Sequence, residues 1–334
     1  MNKIGLNLIM KNEEAVLTRL LNSIYHILDW WTVVDTGSSD SSREIVTQFF
    51  KEKGIPGELI DFEFTNFEEV RNIALNKSRE HCDWIFWIDC DEELILPDFF
   101  DINKFKEYLN QYDSINTKVE YSTISYSRKN FFRSNLNIEW KGKVHEVLIS
   151  DDYILTGEDD SIITLVRSDG YSWKEGETKK YLDHAKILLK EVYRTKEPRD
   201  VFYLAQSYRD AGDINNAIKW YKVRRDQLDG FWEERYYSQF MIGTLMMNRL
   251  DYSQDQAICE LLKCEEYDNS RAEHLHNIIV YYQHRKLWNL AKLIGDIAIS
   301  RISSGFPNRL LFLNNSTYTG AIESLHSITL DNLK

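Results

Sequence analysis

Cysteine is scarce in this sequence, with four among 334 residues. None of Cys82, Cys90, Cys259 and Cys264 belongs to a CxxC pair or stands beside a histidine at metal-ligand spacing. They read as reduced thiols, and no disulfide framework is expected. A surplus of positive charge is missing as well: 41 Lys and Arg against 53 Asp and Glu leave a net charge of −12, and the isoelectric point falls near 5.2. No nucleic-acid partner is expected, because backbone binding needs clustered cations, and any phosphate has to be met locally. Long apolar runs are also lacking. LNLIM is followed at once by KNEE, so neither a signal peptide nor a transmembrane segment is read and the expected compartment is the cytosol.

What is present is apolar and aromatic material, 43% and 13% of the chain, enough for two packed domains. The runs IGLNLIM (4–10), WWTVVD (30–35), ELIDF (58–62) and WIFWID (84–89) have the length and continuity of strands buried on both faces. Helical spacing of Val16, Leu17, Leu20, Leu21, Ile24 and Ile27 predicts a helix over 13–28, and further helices follow over 41–53 and 67–80. Ser41 with Glu44, and Asn66 with Glu69, have capping-box spacing. This alternation predicts an α/β domain, Rossmann-like, with a mostly parallel sheet and helices on both faces.

Ligands of such sheets bind beyond the carboxyl ends of the strands. There the chain reads KNEE, DTGSSD, FTNFEEVRN and DCDEE after the first to fourth strands. Asp89 and Asp91 stand two residues apart past a buried strand, a spacing that lets two carboxylates address one divalent cation or a ribose beside it. The plain alternative is a solvated acidic loop capping a helix that begins near Asp98. Asp35 has a turn-and-cap reading of its own, and Arg71 one as the partner of Glu68 on the same helix.

In order and spacing, LNLIMKNEE, VVDTGSSDSSREI, FEEVRNIAL and DWIFWIDCDEEL resemble the family-two glycosyltransferases with the glycosyltransferase-A fold. The likeness extends through NFFRSNLNIEWKGKVHEVL (130–148), similar to the acceptor-side segment of members that carry helical repeats. The resemblance implies that Asp35 bonds the base of a nucleotide sugar and that Arg71 holds base or pyrophosphate. Asp89 faces ribose and metal, and Asp91 ligates Mn²⁺ or Mg²⁺; Lys11 and Glu13, in the first loop, join the nucleotide-binding set. Two departures stand out. Lys11 replaces a base-stacking tyrosine of many members, and Ser168 stands in LVRSDGY where related chains often read His-x-Gly-Tyr. The expected donor is a UDP-sugar.

Inverting transfer needs a proton acceptor within reach of the acceptor hydroxyl. Glu146 in GKVHEVL is the candidate base, with His145 as its neighbour or an extra metal ligand. The competing reading makes Val144, Glu146 and Leu148 alternate along a strand, with a solvated glutamate.

After about residue 172 the alternation gives way to helical spacing. A helix over about 176–196 leads into Leu204, Ala205, Tyr208, Gly212, Ala217 and Tyr221, which match a tetratricopeptide repeat. Ile242, Gly243, Met246, Ala257 and Leu261 form a weaker copy, and Ile278, Ile279, Tyr282, Ala291 and Ala298 another, with 308–330 as a cap. The organisation read is therefore a catalytic domain over 1–172 and an all-α, tetratricopeptide-like repeat domain over 173–334. The expected activity is metal-dependent, inverting sugar transfer to a hydroxyl of a glycan, peptide or protein, with a homodimer through the helical domain as a further expectation. Two alternatives stay open: a catalytically dead domain on an interaction scaffold, and a nucleotidyltransferase, whose glycine-rich basic first loop is replaced here by the acidic MKNEE.

Overall fold

The computed structural model describes residues 2–121, 124–171, 176–305 and 311–334. It divides into two compact units, Met1–Lys180 and Tyr181–Lys334. The boundary expected at 172/173 lies outside the described residues, as do 308–310 of the expected cap.

The first unit holds β1 (Ile4–Met10), α1 (Leu17–Ile24), β2 (Trp30–Asp35), α2 (Ser42–Lys53), β3 (Gly57–Asp61), α3 (Phe67–Arg79), β4 (Trp84–Trp87) and β5 (Glu92–Ile95). It continues with α4 (Ile102–Leu109), β6 (Ser114–Tyr121), β7 (Ile124–Arg133), β8 (Ile138–Lys141), β9 (Val147–Ser150) and β10 (Thr156–Val166). One sheet runs β3-β2-β1-β4-β7-β6-β10-β5, and β8 and β9 form a separate hairpin. The first four strands pair parallel with one another, and β6 pairs parallel with β10. β7 is inserted antiparallel between β4 and β6, and β5 closes the far edge antiparallel to β10. This is the α/β architecture with a mostly parallel sheet that the alternation of elements implied.

The core explains the apolar runs. Ile4, Leu6, Leu8, Val33, Trp84 and Phe86 are fully buried, with Leu17, Leu20, Leu21 and Ile24 of α1 closing over them. Removing side chains of this size from water contributes roughly 1.5–3 kcal/mol each. Two local expectations change. Helix α2 has no side-chain bond from Ser41; instead Asp40 accepts from the Ser42 N–H at 3.0 Å and Glu14 accepts from the Ser41 N–H at 3.0 Å. Asn66 does cap α3, accepting the Glu69 N–H at 3.0 Å. The helix placed near Asp98 begins at Ile102, where Asp101 accepts from the Asn103 N–H.

The second unit is entirely helical among the described residues. α5 (Glu177–Thr195) contains the division between the units, and α6 (Pro198–Asp210), α7 (Ile214–Asp226), α8 (Trp232–Met247), α9 (Gln254–Leu262), α10 (Glu273–His284), α11 (Trp288–Ser303) and α12 (Ile322–Asp331) follow. α6 packs on α7, α7 on α8, α8 on α9, α10 on α11 and α11 on α12. Leu204, Ala205, Ala217, Tyr221, Ile242, Ala257, Leu261, Ile278, Ile279, Ala291 and Ala298 are buried as the repeat spacing required. Trp232 is half exposed. A buried ion pair joins α7 to α8, with Arg224 Nε 2.8 Å from Glu234 Oε2, and a second lies at the start of α10, with Arg271 Nη2 2.7 Å from Glu273 Oε1. No helix among the described residues is long and apolar enough to cross a membrane.

Candidate active site

Residues beyond the carboxyl ends of β1 and β2 are laced together before they meet any ligand. Asn12 donates its N–H to Ser38 Oγ at 2.9 Å and accepts the Ser39 N–H at 2.7 Å, while the Glu13 N–H reaches Ser42 Oγ at 2.7 Å. Much of the serine in DTGSSDSS therefore organises the loop. Asp35 is buried, accepts from Ser38 Oγ at 2.5 Å and pairs with Arg43 Nη1 at 2.8 Å. Arg43 also pairs with Asp61 at the end of β3. The turn reading of Asp35 thus has a physical basis, although Asp35 does not cap α2. Lys11 is exposed.

Arg71, on α3, is the centre of the site. It is 4% exposed; its Nη2 lies 2.6 Å from Asp89 Oδ1 and its Nε 2.5 Å from Glu146 Oε1. Its guanidinium lies over the rings of Trp87 and Trp140, at 5.0 and 4.9 Å from their centroids. Burial opposes its charge, but Asp89 and Glu146 overcome that and raise its pKa. Burial likewise favours protonation of Asp89, yet Arg71 and then Arg128 hold the carboxyl below its ordinary value. Nη1 of Arg71 is buried without a hydrogen bond. The expected Glu68 pairing does not form, because Glu68 takes Lys143 Nζ at 2.8 Å and the Gly142 N–H at 2.7 Å.

Glu146 is not on a strand. β8 ends at Lys141 and β9 starts at Val147, and between them His145 adopts a left-handed φ of 54°. That turn breaks the alternation expected for Val144, Glu146 and Leu148 and delivers Glu146 to Arg71. Asn12 and Ser168, also non-glycine, have φ of 55° each. These three lie in loops that supply candidate site residues, while Lys196, Lys286 and Phe312 adopt the same conformation in the helical unit.

The acidic run after β4 resolves into pairs. Asp89 meets Arg71, Glu92 meets Arg128 at 2.7 Å and Glu93 meets Arg167 at 2.6 Å. Asp91 lies against the segment after β10: its carbonyl accepts the Arg167 N–H at 3.0 Å. A Cβ built on Gly170 would come within 3.1 Å of Asp91 Cβ and 3.0 Å of Glu13 Oε2. Glu13 Oε2 also accepts the Tyr171 N–H at 3.0 Å, and Asp169 forms a two-bond pair with Arg19, both at 2.7 Å. The Cys90 thiol between the aspartates is buried, which pushes its pKa well up and leaves it inert.

Among the described residues no group of three or more His, Cys, Asp or Glu side chains is placed to hold a metal ion, so Asp89, Asp91 and His145 do not converge as a three-ligand set. The hard oxygen donors of Asp89 and Asp91 do fit a site that Mg²⁺ or Mn²⁺ shares with phosphate oxygens and water, which needs only one or two carboxylates. Arg128, Arg167, Arg19 and Gly170 went unread in the sequence. Arg128 lies on β7 with no motif around it, Arg167 follows β10 inside LVRSDGY without being singled out there, and only folding brings them to the acidic turn.

Residues 8–145 match the family model described as Glycosyl transferase family 2. A TPR repeat-containing protein of Synechococcus elongatus is 28% identical over 162 residues, covering 46% of this chain and 37% of that protein. The chain thus spans a little over a third of that relative's length. S. aureus TarS 1-349 in complex with UDP-GlcNAc superposes with a TM-score of 0.37 at 14% identity, over 93% of this chain and 95% of that one. Mannosyltransferase PcManGT from Pyrobaculum calidifontis, in complex with GDP-Man and Mn²⁺, gives 0.35 at 11% identity, over 79% and 87%. Scores this low transfer neither a ligand nor a residue role. The family match takes in the ends of β1 to β4 and reaches His145, so the stretch that resembles family 2 glycosyl transferases is the one that supplies most of the candidate site.

Proposed function

We propose that the first unit is an inverting, metal-dependent glycosyltransferase that moves a sugar from a nucleotide donor, a UDP-sugar first among them, to a hydroxyl of a glycan, peptide or protein. The observation that carries this reading is the meeting of Asp89, Arg71 and Glu146 at the carboxyl edge of the sheet, with Asp91 two residues beyond Asp89.

Each group has a task that its chemistry suits. Asp91 and Asp89 present carboxylates to Mn²⁺ or Mg²⁺, which when bound neutralises the departing diphosphate. Asp35 and Glu13 line the nucleotide side, and Arg71 keeps Asp89 ionised while steadying Glu146. Glu146 takes the proton of the acceptor hydroxyl as its oxygen bonds the anomeric carbon; the bond from that carbon to the diphosphate breaks, inverting the centre. His145 sets the turn that delivers Glu146. The helical unit is read as a tetratricopeptide-like array that offers a surface to the acceptor.

A panel of UDP-, GDP- and dTDP-sugars, assayed for donor hydrolysis and transfer with Mn²⁺, with Mg²⁺ and with chelator, tests the reading. It expects turnover of one nucleotide class that chelator abolishes, and an anomeric configuration opposite to the donor's by NMR. Absence of turnover and of nucleotide binding across the panel refutes it.

A further inference from the structure

Glu92 and Arg128 belong to none of the roles above, yet the pair closes the aspartate turn through two bonds between them. Arg128 Nη1 and Nη2 each lie 2.7 Å from a different oxygen of Glu92. Glu92 is 3% exposed. The Asp89 N–H donates to Glu92 Oε2 at 3.0 Å, and the Glu92 N–H donates to the Asp89 carbonyl at 3.1 Å. The turn Asp89-Cys90-Asp91-Glu92 is thereby closed twice, once by its backbone and once by the Glu92 carboxylate.

Arg128 in turn is fixed from three sides. Its guanidinium lies over the Trp87 ring at 4.4 Å, and its Nε donates to Asn130 Oδ1 at 3.3 Å. Asn130 donates to the Trp87 carbonyl at 2.9 Å and accepts from Thr117 Oγ1 at 2.9 Å. The brace therefore spans β4, β7 and β6. We propose that Glu92 and Arg128 are positioning residues that hold Asp89 and Asp91 in the geometry that accepts a nucleoside diphosphate with its divalent cation, an inference that rests on the nucleotide-sugar reading.

The physical need is plain. Asp89, Asp91 and Glu13 bring like charges into neighbouring loops, and an unbraced turn relaxes by spreading them. A carboxylate that also accepts the Asp89 N–H stops this, provided its own charge is cancelled, which Arg128 does with two bonds in a fixed plane. A buried ion pair contributes little net stability, since desolvation offsets its attraction. Its effect here falls on geometry.

The test uses the full chain with UDP and Mn²⁺ as probes, comparing wild type with Arg128→Met, Arg128→Lys and Glu92→Gln. Calorimetry gives UDP affinity with saturating Mn²⁺ and with chelator, and a Mn²⁺ titration at fixed UDP gives the half-saturating metal concentration. Arg128→Met is expected to weaken Mn²⁺-dependent UDP binding by about tenfold or more, in the range of outer-shell ligand partners, and to raise the half-saturating Mn²⁺ in step. UDP binding in chelator stays within about twofold, below the change expected for a partner that touches the ligand. Arg128→Lys recovers part of the loss, and Glu92→Gln, which keeps an acceptor for the Asp89 N–H, loses less than Arg128→Met. If Arg128→Met does not fold, Glu92→Gln and Arg128→Lys carry the same comparison. An unchanged metal-dependent gain in these variants, whatever happens to melting temperature, overturns the inference. So does an equal loss with and without Mn²⁺, which makes Arg128 a direct nucleotide contact. A wild type that gains no UDP or GDP affinity from Mn²⁺ instead refutes the nucleotide-sugar reading beneath it.

Discussion

Arg71 and Glu146, 75 positions apart in the chain, meet with Nε 2.5 Å from Oε1. The same guanidinium binds Asp89, so one buried cation joins the acidic turn after β4 to the turn between β8 and β9.

Removing that cation strands two carboxylates. Arg71→Met is expected to destabilise the first unit by about 3–5 kcal/mol, the usual cost of breaking a buried pair from one side. Urea unfolding followed by tryptophan fluorescence measures it, since Trp87 and Trp140 flank the site. A loss below about 1 kcal/mol, as for an exposed pair, contradicts the buried role.

Glu146→Gln keeps shape and removes the proton acceptor. Transfer should fall by about 10²–10⁴-fold, the range for general acid–base groups, with UDP affinity little changed. Single-turnover transfer and UDP titration separate the two. Near-normal transfer moves the base elsewhere, His145 first.

Asp91→Asn should abolish transfer and the Mn²⁺-dependent part of UDP binding while shifting the melting temperature by no more than about 2 °C, because the substitution keeps the size and shape of a half-buried side chain. Gly170→Ala makes the complementary perturbation: the new methyl sits at about the 3.0 Å approach to Glu13 and 3.1 Å to Asp91, so it displaces both without touching charge. Its metal-dependent UDP binding should weaken severalfold. Unaltered binding in both variants removes Asp91 from the metal site.

In the helical unit, Gly243→Ala places a methyl 2.7 Å from Leu261 Cγ and 3.0 Å from the Leu261 backbone nitrogen. Overpacking between α8 and α9 should cost about 1–3 kcal/mol, read as a lower urea midpoint, with UDP binding by the first unit unaffected.

Acid should act on the helical unit through Glu265. Burial alone raises its pKa, but hydrogen bonds from His274 at 2.6 Å and Arg301 at 2.9 Å depress it to about 2. A depressed carboxyl contributes stability that is complete above its unfolded value of about 4.3 and is lost as pH falls from there through about 2. The stability gap between wild type and Glu265→Gln should therefore narrow between pH 5 and pH 2, and a constant gap refutes the assignment.

Hydrophobic periodicity located the first four strands, the helices between them and the change to helices further on, whereas β5 to β10 were not read from it. β1 and β2 occupy the residues read from their apolar runs, Ile4–Met10 and Trp30–Asp35, and α2 and α3 fall within a residue of where apolar spacing put them. Periodicity suffices there because burial on one or both faces is a local property of neighbouring side chains. The strand-end position of Asp35, Asp89 and Asp91 was legible for the same reason.

Tertiary structure decided which charges meet. Nothing local tells Arg71 to prefer Asp89 and Glu146 over Glu68, one turn away, or sends Glu92 to Arg128 and Glu93 to Arg167. Nor does alternation along 144–148 reveal that His145 turns left-handed and takes Glu146 off the strand. Those outcomes depend on β7 entering antiparallel beside β4 and on the β8–β9 hairpin closing against α3. Ion pairs are short-ranged in space and indifferent to separation in sequence, so the acidic run after β4 could be counted from the sequence but its partners had to be brought to it by the fold.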